Sequence, residues 1–159
     1  MTSETKVLNE NIIEIKNLKK YYPLTSGLMK KVTGIVRAVD DVTFNIPRGK
    51  TIGLVGESGC GKTTISKCIL RAIDPTEGDI LLNNEEGSYN LATLSENELR
   101  PLRKEMQMIF QDPFSSLNPR MRIGSIIKEG LCFLKQNLQN DYIEVVLKDV
   151  IEKVGLPKD

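Results

Sequence analysis

Hydrophobic and polar positions alternate in two places near the start of the chain. Residues 11–18, Asn-Ile-Ile-Glu-Ile-Lys-Asn-Leu, keep the period of a strand. Val39, Val42, Phe44 and Ile46 mark a second extended segment, with strict alternation from Val42 to Ile46. Between them, Lys19-Lys20-Tyr21-Tyr22-Pro23 is expected to end the first strand, because proline lacks a ladder donor. Residues 24–34, with Gly27, Gly34 and the pair Lys30-Lys31, read as a solvated surface loop. Pro47-Arg48-Gly49 then turns the chain into Thr51-Ile52-Gly53-Leu54-Val55, a short apolar run suited to a buried parallel strand. The first third therefore predicts an antiparallel β layer beside an α/β core.

Further on the period changes. Ile65, Cys68, Ile69 and Ala72 recur at helical spacing, which predicts a helix from near Lys62 to near Ile73. Asp74-Pro75-Thr76-Glu77-Gly78 is a turn, Asp79-Ile80-Leu81-Leu82 a strand, and Asn83 to Asn90 a polar loop. Ser95-Glu96-Asn97-Glu98 matches a capping box and starts a short helix that Pro101 kinks or closes. Met106-Gln107-Met108-Ile109-Phe110 reads as a buried strand, and Phe114 to Pro119 as a turn-rich connector. Ile123, Ile126, Ile127 and Leu131 predict a helix. Ile143, Val146, Leu147, Val150 and Val154 give the clearest amphipathic stripe. Asn140 or Asp141 caps its start, and Gly155 suits its end.

The chemistry is concentrated between the Val55 run and the first helix. Gly56-Glu57-Ser58-Gly59-Cys60-Gly61-Lys62-Thr63 satisfies the phosphate-loop pattern G-x-x-x-x-G-K-[ST] at every fixed position. Gly56, Gly59 and Gly61 let phosphate oxygens come close. Successive backbone N–H groups then point inward, and the helix N-terminus adds partial positive charge. Lys62 is expected on the β- and γ-phosphates, and the Thr63 hydroxyl on Mg²⁺. Gln111 follows the Met106–Phe110 run at once. It is either a ligand contact at the carboxyl end of a core strand or a polar strand-end residue facing water.

Bulk properties narrow the class. The 159 residues suit one domain with a real core, and 40% hydrophobic with 27% charged residues is ordinary for a globular chain. A net charge of +1 offers no nucleic-acid footprint. No apolar run approaches a membrane span, and Met1 to Lys6 lacks an apolar signal core, so export is not expected. Cys60, Cys68 and Cys132 form no C-x-x-C pair, which fits a reducing cytosol. Cys68 and Cys132 read as small core residues.

With these residues in view, the chain resembles the nucleotide-binding subunit of ABC transporters, within the oligopeptide/dipeptide importer group. Gly53 to Thr64 resembles that group's Walker A segment, Gln107 to Pro113 its Q-loop, and Ser116 to Met121 the stretch after the Q-loop. Arg37-Ala38-Val39-Asp40 and Pro75-Thr76-Glu77-Gly78 are similar as well, whereas Gly130 stands where the group commonly has proline. The likeness runs from about residue 12 to residue 159, leaving 1–11 as a tail. It implies an α/β P-loop NTPase fold, an ABC-type nucleotide-binding domain here incomplete, with an antiparallel β subdomain on its N-terminal side. It implies ATP and Mg²⁺ as ligands, with Gly56, Glu57, Ser58, Gly59, Cys60, Gly61, Lys62, Thr63 and Thr64 around the phosphates. Gln111 joins Thr63 at Mg²⁺. Tyr22 sits where the family stacks an aromatic on adenine, the alternative being a half-exposed strand-end tyrosine. The implied partners are transmembrane permease subunits and a second nucleotide-binding subunit, on the inner face of the cell membrane.

Within these residues there is no Leu-Ser-Gly-Gly-Gln signature, no apolar run ending in Asp-Glu, and no histidine. The expectation is therefore a truncated chain without the Walker B aspartate, catalytic glutamate or switch histidine, which binds Mg-ATP weakly and hydrolyses it poorly. A non-hydrolysing nucleotide-binding remnant is the alternative. A small-molecule kinase fits least, since Gln111 and Ser116-Leu117-Asn118-Pro119 have no role in one.

Overall fold

The computed structural model describes residues 9–27, 31–112, 116–134 and 140–155. The expectations for residues 1–8, Lys30, Pro113 to Ser115, the capping side chain at Asn140 or Asp141, and Leu156 to Asp159 lie outside the described residues. The chain forms two compact units, Met1–Gln107 and Met108–Asp159.

The first unit is built on a four-stranded antiparallel sheet, ordered β2-β1-β3-β4. Its strands are β1 (Asn11–Ser26), β2 (Lys31–Pro47), β3 (Glu77–Asn83) and β4 (Ser88–Asn90). The alternation at Ile13, Ile15, Val42, Phe44 and Ile80 produces this layer as expected. Ile15, Leu18, Ile80 and Leu91 are fully buried, and Ile65, Cys68 and Ile69 of α1 (Lys62–Ile69) close over them. Each such side chain contributes about 1.5–3 kcal/mol of burial.

The first two strands are longer than the alternation predicts. Pro23 does not end β1: it pairs with Ile35, and the strand runs on to Ser26. β1 meets β3 only from Ile13 to Lys19, so at Pro23 one side of the strand is an edge, where a missing N–H breaks no ladder. Residues 24–26 and 31–34 are accordingly hairpin arms, not loop. The polar stretch after Asn83 tightens into a turn at 84–87, held by the Asn84 side chain, and returns as β4.

α1 stops at Ile69, short of the expected Ile73. Arg71 takes φ 51°, and the amides of Arg71 and Ala72 bond back to the carbonyls of Cys68 and Lys67. This is the six-to-one, five-to-two closure usually marked by glycine, here made by arginine. α2 (Glu96–Leu102) starts at Ser95, whose amide donates to the Glu98 carboxylate, as the capping box predicts, and whose hydroxyl donates to the same oxygen. Pro101 lies in its last turn, and a 3₁₀ turn at Arg103–Glu105 follows.

Two expected strands do not form. Residues 51–57 and 106–110 carry no ladder bonds among the described residues. Val55 and Ile109 are each 93% exposed. An extended apolar run becomes a core strand only when neighbours hydrogen-bond to its edges and cover its faces, and neither run has them here.

The second unit holds α3 (Ile123–Leu134) and α4 (Asn140–Lys153). Ile143 is buried, Val146, Leu147 and Val150 are half-buried, and Gly155 takes φ 72° beyond the helix end. Of the expected stripe on α3, Ile126, Ile127 and Leu131 are half-buried, as is Gly124, whereas Ile123 is exposed. Cys132 is one step off that stripe and exposed, so it is not a core residue, whereas Cys68 is.

Candidate functional site

α1 begins at Lys62, as the spacing predicts, with Gly61 at its N-cap position in a left-handed conformation (φ 96°, ψ 1°). No described side chain caps this end, and its first turn contains no acidic residue. The first amides therefore keep free donor capacity at the positive end of the helix dipole, an arrangement that selects anions.

Lys62 folds back over the loop that precedes it. Its Nζ donates to the carbonyl oxygens of Gly56 (2.7 Å) and Glu57 (2.5 Å), and lies 3.4 Å from Cys60 Sγ. An ammonium has three donors. Two rest on carbonyls and the third on a soft sulfur, the weakest of the partners. A charged phosphate oxygen outcompetes that sulfur. Residues 56–60 and Thr63 are exposed, and Thr64 is half-buried. Thr63 thus presents a hydroxyl beside the lysine, which suits Mg²⁺, an ion that retains most of its shell as water and phosphate oxygen.

The three loop glycines do different jobs. A Cβ on Gly59 (φ 82°) meets nothing within 4 Å. One on Gly61 would lie 2.2 Å from the Ala38 carbonyl oxygen and 3.8 Å from Val39 Cγ2. One on Gly56 would lie 2.7 Å from Cys60 Sγ. Gly61 therefore lets the loop back directly onto β2, in addition to any approach it gives a ligand. Ala38 and Val39 thus form the wall behind the loop. No side chain signals this contact in the sequence, because it is made by main chain, at a register shift where Lys20 pairs with Val39 but Tyr21 pairs with Arg37.

That register settles which tyrosine shares a sheet face with Val39. Lys20, Tyr22, Val36 and Val39 share one sheet face, the face on which Val39 approaches Gly61. Tyr21 and Arg37 share the other. There the Tyr21 hydroxyl donates to Asp40, and the Arg37 guanidinium sits over the Tyr21 ring at 5.6 Å. The Tyr21 hydroxyl, followed by Arg37, holds the Asp40 carboxyl below its ordinary range, and the same bond to Asp40 raises the Tyr21 phenol. Tyr22 remains 40% exposed. The structure thus gathers Tyr22 and the 56–64 loop on one unit. Gln111 is exposed after the 106–110 run and belongs to the second unit.

The sequence model of the ABC transporter family matches residues 39–159. The oligopeptide transport ATP-binding protein AppF of Bacillus subtilis (strain 168) is 48% identical over 153 residues, covering 96% of this chain and 45% of that protein. A probable peptide ABC transporter ATP-binding protein, y4tS of Sinorhizobium fredii, is 41% identical, covering 94% of this chain and 41% of its own length. The chain thus spans a little under half the length of these curated relatives. Among solved structures, the ATP-binding cassette MJ0796, a dimer in a post-hydrolysis state bound to ADP and Pi, superposes with a TM-score of 0.72. Identity there is 23%, over 92% of this chain and 58% of that one, a likeness of fold.

Proposed function

We propose, from the premise that this chain belongs to the ABC transporter family, that it is the nucleotide-gripping part of an ATP-binding subunit serving a peptide importer. The observation that supports this most is the uncapped start of α1 with the Lys62 ammonium folded over the loop before it. The backbone amides of Gly59 to Thr63 and Lys62 would hold the β- and γ-phosphates, with Glu57, Ser58, Cys60 and Thr64 completing the cradle. Thr63, joined by Gln111, would hold Mg²⁺, and Tyr22 would stack on adenine. When bound, Mg²⁺ offsets the charge of the triphosphate; the chain's own residues supply grip and orientation.

Lys62→Ala tests the assignment. Loss of one or two charge-assisted bonds costs about 3 kcal/mol, on the order of a hundredfold in affinity. Calorimetric titration with Mg-ATP reads it directly, and unchanged affinity refutes the reading.

The second reading is a module that binds nucleotide without turning it over. It is favoured by one observation: residues 51–57 and 106–110 lack ladder partners among the described residues. Lysine-dependent phosphate release by the 159-residue chain would rule it out. In the importer reading the partners are permease subunits and a second nucleotide-binding subunit, with the protein peripheral on the inner membrane face. None of the described helices is long and apolar enough to cross a membrane.

A further inference from the structure

Tyr22 does not stand alone on its face of the sheet. Lys20 precedes it by two residues, so both side chains leave β1 on the same side. Lys20 Nζ lies 4.9 Å from the centroid of the Tyr22 ring, within the range where an ammonium is held by a ring face. Lys20 pairs with Val39, whose side chain is buried in the core that Ile65, Cys68 and Ile69 of α1 help form. Its stem therefore lies on the side of the sheet that α1 and the loop occupy. The ring is covered on one face by a cation and still 40% exposed. The neighbouring tyrosine is arranged in the opposite sense: Tyr21 is engaged through its hydroxyl by Asp40 and over its ring by Arg37, on the far face.

We propose that Lys20 is a positioning residue for the nucleoside end of the ligand, holding the Tyr22 ring so that its open face takes the purine. This rests on the reading that Tyr22 stacks on adenine. The physical argument has two parts. A ring on an exposed strand samples several rotamers, and freezing it at the moment of binding costs affinity. An ammonium on one face removes most of that freedom beforehand. The same cation draws π density toward itself, so the remaining face is less negative and stacks better against an electron-rich purine. Lys20 lies beside the ring, so it acts on the base and not on the triphosphate.

The test separates base from phosphate. The full 159-residue chain is titrated calorimetrically with Mg-ATP and with inorganic tripolyphosphate, using wild type, Lys20→Met, Lys20→Arg, Tyr22→Leu and the Lys20→Met/Tyr22→Leu pair. Lys20→Met is expected to weaken ATP about two- to fivefold, the range of an exposed cation–π contact, and to leave tripolyphosphate unchanged. Lys20→Arg, which keeps a cation over the ring, is expected to restore ATP affinity. In the Tyr22→Leu background, Lys20→Met should have no further effect, the signature of acting through the ring. Urea midpoints measured alongside keep a loss of fold from being read as a loss of contact. Equal loss of ATP and tripolyphosphate affinity, or a Lys20 effect that persists without Tyr22, overturns the proposal. Unchanged ATP affinity in Lys20→Met with a weakened Tyr22→Leu removes Lys20 alone. Unchanged affinity in Tyr22→Leu removes the adenine reading together with it. Lys62→Ala, losing both ligands, reports separately on the phosphate loop.

Discussion

Gly61 and Gly59 form a natural pair for testing whether the loop is anchored on β2. Both have positive φ, 96° and 82°, so an alanine at either position incurs roughly 1–2 kcal/mol of backbone strain. They differ in what a Cβ would touch. At Gly59 it enters open space; at Gly61 it lands 2.2 Å from the Ala38 carbonyl oxygen. That oxygen is main chain at a register shift of β2, held between the paired residues Arg37 and Val39, and it does not move as a side chain would. Loop and strand must part by about an ångström, at an overpacking cost of about 1–3 kcal/mol. Gly59→Ala should therefore destabilise by about 1–2 kcal/mol and Gly61→Ala by about 2–5 kcal/mol. Urea unfolding followed by far-ultraviolet circular dichroism should show the difference as a lower midpoint at unchanged slope, about 0.5–1.5 M apart for a slope near 2 kcal/mol/M. Relief by local detachment, without global loss, would appear instead as faster amide exchange at Ile65, whose N–H bonds to the Gly61 carbonyl at 2.9 Å. Equal midpoints and equal Ile65 exchange in the two variants would mean that the loop does not rest on β2.

Three further outcomes are expected. Gly78→Ala places a Cβ 2.5 Å from the Asn17 carbonyl oxygen at φ 96°, so it should cost about 2–5 kcal/mol by urea unfolding; a loss under 1 kcal/mol would contradict the β1–β3 packing at that bulge. The Glu98 carboxyl is held below its ordinary value of 4.5 by the Ser95 hydroxyl, then by the Ser95 amide. A depressed folded value gives stability that is present above pH 4.5 and fades as pH falls through the folded value. Glu98→Gln should therefore flatten the acid limb of a thermal-melting profile, and Ser95→Ala should cost about 1 kcal/mol at neutral pH. Identical acid limbs in wild type and Glu98→Gln would remove the role of that pair. Val55→Ser and Ile109→Ser alter residues that are each 93% exposed, so unfolding free energies should stay within about 0.5 kcal/mol while light scattering at high concentration falls.

What was legible in the sequence was local. The start of α1 at Lys62, the Ser95–Glu98 pairing and the Val42–Ile46 alternation each depend on neighbours within a turn or a pleat, and each formed as read; the stripe from Ile143 formed as far as Val150, while Val154, expected on it, lies past the helix end at Lys153 and is exposed. Features that depend on distant partners were misread. Pro23 looked like a terminator because the sequence does not say that β3 ends its pairing at Lys19. The 51–55 and 106–110 runs have the composition of core strands, yet composition records the environment a strand needs and not whether a neighbour supplies it. Residue type alone puts Cys132 in the core, yet it falls about a third of a turn away from the covered face of α3 and is exposed. Arg71 closed α1 early without the glycine that ordinarily signals it.

The candidate site follows the same division, and this bears on how it works. The motif from Gly56 to Thr63 was readable at once, because the pattern is contiguous. Its support was not, because the support comes from the other end of the unit. β2 backs the loop through the Ala38 oxygen, and β1 sets Tyr22 and Lys20 on the same face. The antiparallel layer thus fixes where the loop sits and on which sheet face the Tyr22 ring stands, and in the proposed reading it is part of the nucleotide grip. Because the Ala38 contact is made by main chain, replacing the alanine side chain leaves the wall in place. Only a change at Gly61 pushes against it, which is why the third glycine of the motif answers to packing as much as to phosphate.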